Sequence, residues 1–420
     1  MRAASSRDFD VIIVGAGVIG AAMAALLVAR KLCAPGRIAL IAERFADAGG
    51  SGAIPSAAAA PDSDWDLRVF ALSRASERLL RQCGVWDALP RNRVFAYERM
   101  CVWDGAGAPQ GRGSIVFDCA EIGEPNLGFI VEGRALQYQC LQAARHLGIV
   151  TIEGQLDTLA MGDADATVRL TDGRELRGLL LIAADGTESK TRTLLGIDTA
   201  GHAYHQDALV AHVRTAASHR NTAWQRFLRS GPLAFLPLPD GRSSIVWSVD
   251  RAEAARLAAL DPAAFGAALT AAAAGALGEC ELTTALARFP LKLQYALEYA
   301  RPHAILLGDA AHAVHPLAGQ GLNLGLLDCA ALAEVLGDAA AAVRFGEYTL
   351  LRRYERRRRS ENLLAAAALD GLERLFSSAD PISSGLRRAG LSAVDKMPFV
   401  KRRFAQRALG LAGDVPDFLQ

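Results

Sequence analysis

With 420 residues, 51% of them hydrophobic and 22% charged, the chain is long enough for two packed domains and too apolar to stay disordered. A formal net charge of +1 provides no global field for nucleic acid or any other polyanion. Seven scattered cysteines, odd in number and without a Cys-x-x-Cys pair, argue against a disulfide framework or a zinc ribbon and fit a reducing cytoplasm.

The first apolar run, Val11 to Val14, is too short for a secretory signal core, and no run reaches the length of a spanning helix. The expectation is a cytoplasmic protein, with any membrane contact peripheral, on the inner face of the cytoplasmic membrane. Asp10 to Val14 reads as a buried parallel strand that Gly15 ends. A helix is expected from Val18 to Arg30, and Arg37 to Glu43 is a second buried strand closing on an acid, which completes one βαβ unit. Residues 46–64 are rich in Gly, Ala, Ser and Pro and read as a loop or insertion, with 53–60 unusually rich in alanine. From Trp103 to Asp118, and again from Thr151 to Leu181, short apolar runs alternate with Gly and Asp turns and predict β-ribbons. Leu233 to Pro237 and Ser244 to Val249 flank Asp240-Gly241 as a hairpin. Residues 252–278 and most of 326–376 carry Ala/Leu-rich helical spacing. The class is α/β.

Three segments carry chemistry. Gly15-Ala-Gly17-Val-Ile-Gly20 sits between a strand and a helix, with Glu43 ending the next strand. Glycines there let the backbone approach a pyrophosphate, the helix N-terminus offers free N–H groups, and an acid can hold a ribose hydroxyl. That pattern alone does not separate FAD from NAD. Leu179 to Ala184 is a strand that stops at Asp185-Gly186, a pair that is often only a turn. Ala304 to His312 holds Gly308-Asp309 at a strand end and leads through Pro316 to Gly319-Gln320-Gly321-Leu322-Asn323, where a helix starts. Such a helix N-terminus could stabilise negative charge on a reduced flavin ring. His312-x-x-His315 and His202-x-x-His205 lack Cys or Glu partners in a metal pattern, so no metal is expected. Arg344 to Arg407 holds 15 Lys/Arg against 7 Asp/Glu. The Arg356–Arg359 run within it reads first as a solvated helix face. Met397 to Phe404 reads as a short amphipathic anchor for an anionic surface.

Taken together, the three segments resemble the dinucleotide fingerprint, Asp-Gly motif and Gly-Asp motif of the single-component flavin aromatic hydroxylases, the p-hydroxybenzoate hydroxylase-like fold. Asp66 to Ser76, His315 to Gly325, and Tyr354 to Arg359 with Asn362 resemble the ubiquinone-biosynthesis hydroxylases within that group. The resemblance runs nearly the full length. It implies a Rossmann-like FAD-binding domain made of 7–75, 103–187 and 296–345. An interleaved mixed-sheet substrate domain would take 76–102 and 188–295, followed by a C-terminal helical region, 346–420. It places the FAD diphosphate on Gly15, Gly17 and Gly20, the adenosine ribose on Glu43, and the ribityl or pyrophosphate region on Asp309. Pro316, Gly319, Gln320, Gly321, Leu322 and Asn323 would lie at the flavin ring. Arg68 and Arg134 match flavin-contacting positions, and Asp185 and Gly186 the approach of FAD and nicotinamide.

The implied reaction uses tightly, non-covalently bound FAD, transient NAD(P)H and dioxygen. A flavin C4a-hydroperoxide passes one oxygen to an electron-rich ring, and water must be kept out. No acid or base is assigned. The implied substrate is a hydrophobic phenol, a polyprenylphenol of ubiquinone biosynthesis. A soluble phenol, a prenyl reduction on the same fold and a non-catalytic flavin-bound scaffold are the alternatives. A ubiquinone-biosynthesis complex and a homo-oligomer stay open as assemblies; nucleic acid is not expected as a partner.

Overall fold

The computed structural model of the protein describes residues 7–45, 65–313, 320–339, 342–377 and 381–419. Phe9–Val14 lies between Ile38–Ala42 and Glu175–Ala183, parallel to both, and Val150–Glu153 and Ala304–Leu306 extend the sheet on either side. Val11 to Val14 are all buried, because helices cover one face and an antiparallel arm, Leu156–Met161 with Ala166–Leu170, covers the other. Val18–Ala29, the fingerprint helix, is alanine-rich, and small side chains let it pack closely against Gly133–His146 and Gln320–Gly337.

A second sheet runs in the order His312–Ala313, Ala287–Ala296, Thr199–Thr215, Ser243–Asp250, Gly231–Pro237, Thr222–Leu228, Arg99–Asp104 and Ser114–Asp118. The hairpin around Asp240-Gly241 is its centre. One face, with Leu209, Phe235 and Trp247, packs on the helices Arg251–Ala258 and Pro262–Ala272. The opposite face looks toward the nucleotide fold. A small antiparallel sheet of Val69–Leu72, Gly128–Glu132 and Val94–Tyr97 sits between the two. Helices Tyr348–Ser377, Pro381–Asp395 and Pro398–Ala408 follow.

The chain crosses between domains at other points than the sequence suggests. Residues 76–102 were expected in the substrate domain, yet Leu79 and Leu80 of helix Arg74–Gln82 are buried in the first core, against the nucleotide fold. Residues from 103 were expected in the FAD domain, yet Arg99–Asp104 pairs in parallel with Thr222–Phe227 of the second sheet. The crossing is set by strand pairing far along the chain, which local composition does not carry. The ribbon expected from Thr151 is also split, since Val150–Glu153 joins Ile38–Ala42 in parallel before the antiparallel arm begins. The Ala-rich segment 53–60, His315, Pro316 and Gly319 lie outside the described residues.

Candidate active site

Each fingerprint glycine answers a different steric demand. A Cβ on Gly15, whose φ is +107°, would lie 2.2 Å from the Ala184 carbonyl oxygen, so only glycine lets the first strand approach its neighbour. A Cβ on Gly20 would lie 1.8 Å from the Gly15 oxygen, which fixes helix against turn. At Gly17 a Cβ would meet nothing within 4 Å, and this residue lines a cavity of about 830 Å³. Gly17 is therefore open to a ligand, at the N-terminus of a 12-residue helix whose first N–H groups need acceptors. That arrangement fits a diphosphate. Glu43 is exposed just beyond Ile38–Ala42 and accepts a bond from Gln155 Nε2 at 3.0 Å.

The cavity continues past Asp309, Gln320, Gly321 and Leu322 and along Arg68 and Arg134. Two segments are zipped together at that edge. Gly133 N donates to Arg68 O at 2.8 Å, Asp66 N to Glu132 Oε1 at 2.9 Å, and Arg134 pairs with Asp66 at 3.5 Å. Burial pushes the Glu132 carboxyl up despite Arg93 at 3.2 Å.

The side chains of two residues expected near the cofactor are bonded within the protein. Asp185 caps the turn into helix Lys190–Leu194: its carboxylate accepts from Ser189 Oγ, Thr191 N and Thr191 Oγ1, the last two at 2.9 and 2.8 Å. Its neighbours Ala184, Gly186 and Thr187 line the cavity in its place. Asn323 also lines the cavity, but its carboxamide is engaged within the protein. It accepts from Ser73 N and Ser76 Oγ at 2.9 and 2.7 Å and donates to Ala71 O at 2.8 Å. The bond pattern makes Asn323 a clamp between the first turn of its helix and the Val69–Leu72 strand. The Arg356–Arg359 run is not a solvated face either. Arg358 is buried against Asp328 at 2.8 Å, and Arg357 pairs with Glu334 and Asp414. His312 likewise is buried on Asp328, at 2.6 Å.

Beyond the nucleotide end the cavity is floored by the open face of the second sheet. Strand register places Ser244, Leu236, Ala223, Met100 and Phe117 in one row, and Val210, Val246, Ala234 and Gln225 in the next. Alanines at the centre of that face leave room for a planar ring, while the larger apolar residues exclude water. Phe404, Ala405 and Ala408 of helix Pro398–Ala408, with Leu409 just after it, line the far end. Tyr97 is on the same wall, and burial pushes its hydroxyl up to about 12, so it is a neutral donor at pH 7.

The FAD binding domain model matches residues 136–367. The 3-demethoxyubiquinol 3-hydroxylase of Escherichia coli is 35% identical over 97% of this chain and 100% of its own length. The mitochondrial ubiquinone biosynthesis monooxygenase of Homo sapiens is 33% identical over 96% of this chain and 92% of its own. The chain belongs to this family of FAD-dependent hydroxylases. Among solved structures, p-nitrophenol 4-monooxygenase of Pseudomonas putida shares the fold at a TM-score of 0.73, with 18% identity over 96% of this chain and 99% of that one. HpxO of Klebsiella pneumoniae, complexed with FAD and uric acid, does so at 0.68 and 16%, over 94% and 96%.

For this FAD-dependent hydroxylase, motif reading alone did not single out several residues at the cavity and behind it. Ala223 and Gln225, and likewise Ala234 on the next strand, share a face through two-residue strand spacing, which is visible in sequence once the facing side is known. Asp328 carried no such signal. It is one acid among small and apolar residues of a helix, and its partners are 16 to 34 residues away in sequence.

Proposed function

We propose that this FAD-dependent hydroxylase adds a hydroxyl to the aromatic ring of a polyprenylphenol intermediate of ubiquinone biosynthesis, with NAD(P)H and dioxygen as co-substrates. The observation that carries the reading is the apolar course of the cavity, from Gly17 and Asp309 across the alanine-centred sheet face to Phe404 and Leu409. A ring fits the sheet face, and a long apolar tail can leave past the last helix. Gly17 and the helix behind it would hold the FAD diphosphate, Glu43 the adenosine ribose, and Asp309 with the 320–323 turn the flavin end. FAD, when bound, supplies the redox chemistry that activates dioxygen. The chain's own part is to align the ring, through Ala223, Ala234 and the apolar rows beside them, and to keep water away from the reacting centre. Tyr97 is placed to donate a hydrogen bond to an oxygen substituent of the ring.

The same reading gives the last helix a second role. Met397, Phe399 and Phe404 are 51, 78 and 59% exposed, with Lys396, Arg402, Arg403 and Arg407 exposed around them. No helix among the described residues is long and apolar enough to cross a membrane. Peripheral contact with an anionic bilayer beside the cavity mouth accounts for such a surface and for the source of a lipid-soluble substrate.

The test is oxygen-18 incorporation by the purified holoenzyme, beside mass spectrometry of quinone intermediates in a strain lacking the gene. One labelled oxygen in the product, and accumulation of a prenylphenol one hydroxyl short of its successor, are expected. Turnover without label overturns hydroxylation; unchanged intermediates in a strain without another hydroxylase overturn the quinone substrate and leave a soluble phenol.

A further inference from the structure

Among the described residues, a dense buried polar cluster lies behind the cavity. Asp328, fully buried, accepts four hydrogen bonds. Gly308 N and His312 Nε2 reach Oδ2 at 3.1 and 2.6 Å, and Arg358 Nε and Asn362 Nδ2 reach Oδ1 at 2.8 and 3.1 Å. Four donors saturate a carboxylate. His312, Arg358 and Asn362 are each no more than 2% exposed. Arg358 also donates to Asn362 Oδ1 at 2.9 Å, and Tyr354 in the same helix donates to Leu306 O at 3.1 Å.

We propose that Asp328 is a positioning residue that holds the cofactor-facing turn Gly308–Ala310 and the head of helix Gln320–Gly337 in the spacing FAD requires. Asp328 itself does not line the cavity, whereas Leu307, Asp309, Ala313 and residues 320–323 do. The helix comes down almost onto the turn: a Cβ on Gly325 would lie 3.2 Å from Gly308 Cα and 2.7 Å from Ile19 Cδ1. Three residues further along the helix, Asp328 takes the Gly308 N–H and so fixes how the two backbones sit. His312 carries the same constraint onward, because its strand pairs with Gln294 and Tyr295 at the edge of the second sheet. Arg358 and Asn362 brace the carboxylate from helix Tyr348–Ser377. A buried ion pair adds little net stability compared with well-packed apolar side chains. What four directed donors provide is a defined position.

The proposal rests on the FAD site and not on the identity of the substrate. Its test is FAD release from the full-length holoenzyme, followed by the rise in flavin fluorescence without substrate, beside the thermal midpoint of the FAD-stripped chain. Three variants are compared: Asp328→Asn, Asn362→Ala, and Arg357→Gln, which lies on the same helix as Asn362 and breaks the ion pairs to Glu334 and Asp414 without touching Asp328. Asp328→Asn is expected to release FAD about tenfold faster or more, the scale of one lost charge-assisted bond. Asn362→Ala should release it several-fold faster, and Arg357→Gln at the wild-type rate. Release within twofold of wild type in both Asp328→Asn and Asn362→Ala overturns the proposal. So does faster release in Arg357→Gln that matches theirs at an equal loss of thermal midpoint, which would mark the effect as general destabilisation. Should Asp328→Asn fail to fold, Asn362→Ala and Arg358→Lys decide by the same comparison. None of these outcomes bears on ring hydroxylation, which the label experiment reads separately.

Discussion

Adding one methyl group to Gly17 separates cofactor binding from folding. Gly17 caps helix Val18–Ala29 with φ −69°, a conformation open to alanine, and its Cβ would touch no protein atom within 4 Å. The cost to the fold is therefore that of replacing glycine by alanine at an N-cap, roughly 0.5–1 kcal/mol. A domain stable by about 5–15 kcal/mol tolerates that. The methyl does, however, stand where the diphosphate must meet the backbone N–H groups. Each charge-assisted bond lost there weakens binding by about 1.5–3 kcal/mol, tenfold or more. Gly20→Ala should do the opposite damage, since its Cβ would lie 1.8 Å from the Gly15 oxygen and must push strand from helix, at about 1–3 kcal/mol or more. FAD per chain from the visible absorbance, and the urea midpoint of the stripped protein, distinguish the two. We expect Gly17→Ala to be nearly as stable as wild type and depleted of FAD, and Gly20→Ala to be unstable first. Full FAD occupancy with unchanged affinity in Gly17→Ala would falsify the assignment of the diphosphate to this turn.

Three further outcomes are expected. Burial alone would raise the Asp328 carboxyl, but His312 and Arg358 against it hold it well below the usual carboxylate range. With the folded value below the unfolded one, its contribution to stability is complete well above about pH 4 and declines as the pH falls through the folded value. The urea midpoint should thus drop more between pH 5 and pH 3 in wild type than in Asp328→Asn, and equal drops would contradict the ion pairing. Ala234→Phe fills the centre of the sheet face; substrate-stimulated NAD(P)H oxidation should fall sharply while FAD content stays at wild type, and loss of FAD instead would place the ring elsewhere. Phe399→Ser removes the most exposed large apolar side chain of the last helix. It should reduce co-sedimentation with anionic phosphatidylglycerol vesicles several-fold while binding of FAD is unchanged, and undiminished sedimentation would remove this helix from the contact.

The sequence by itself determined the nucleotide end of the protein, because that chemistry is local. Gly15, Gly17 and Gly20 lie within six residues between a strand and a helix, so their spacing alone states the turn, the open backbone and the close packing that the structure displays. The Gly308-Asp309 strand end was legible for the same reason. Tertiary structure decided what depends on partners far along the chain. Arg358 looks like one more charge in a solvated run until Asp328, 30 residues away on another helix, is found against it. Nothing beside Asn323 in sequence announces that Ala71, Ser73 and Ser76 take up its carboxamide. The apolar cavity wall needs six strands in register before its rows share one face. A side chain's type and its near neighbours set what it can bond; which of those bonds it makes is fixed only when folding brings a distant, equally desolvated partner to it.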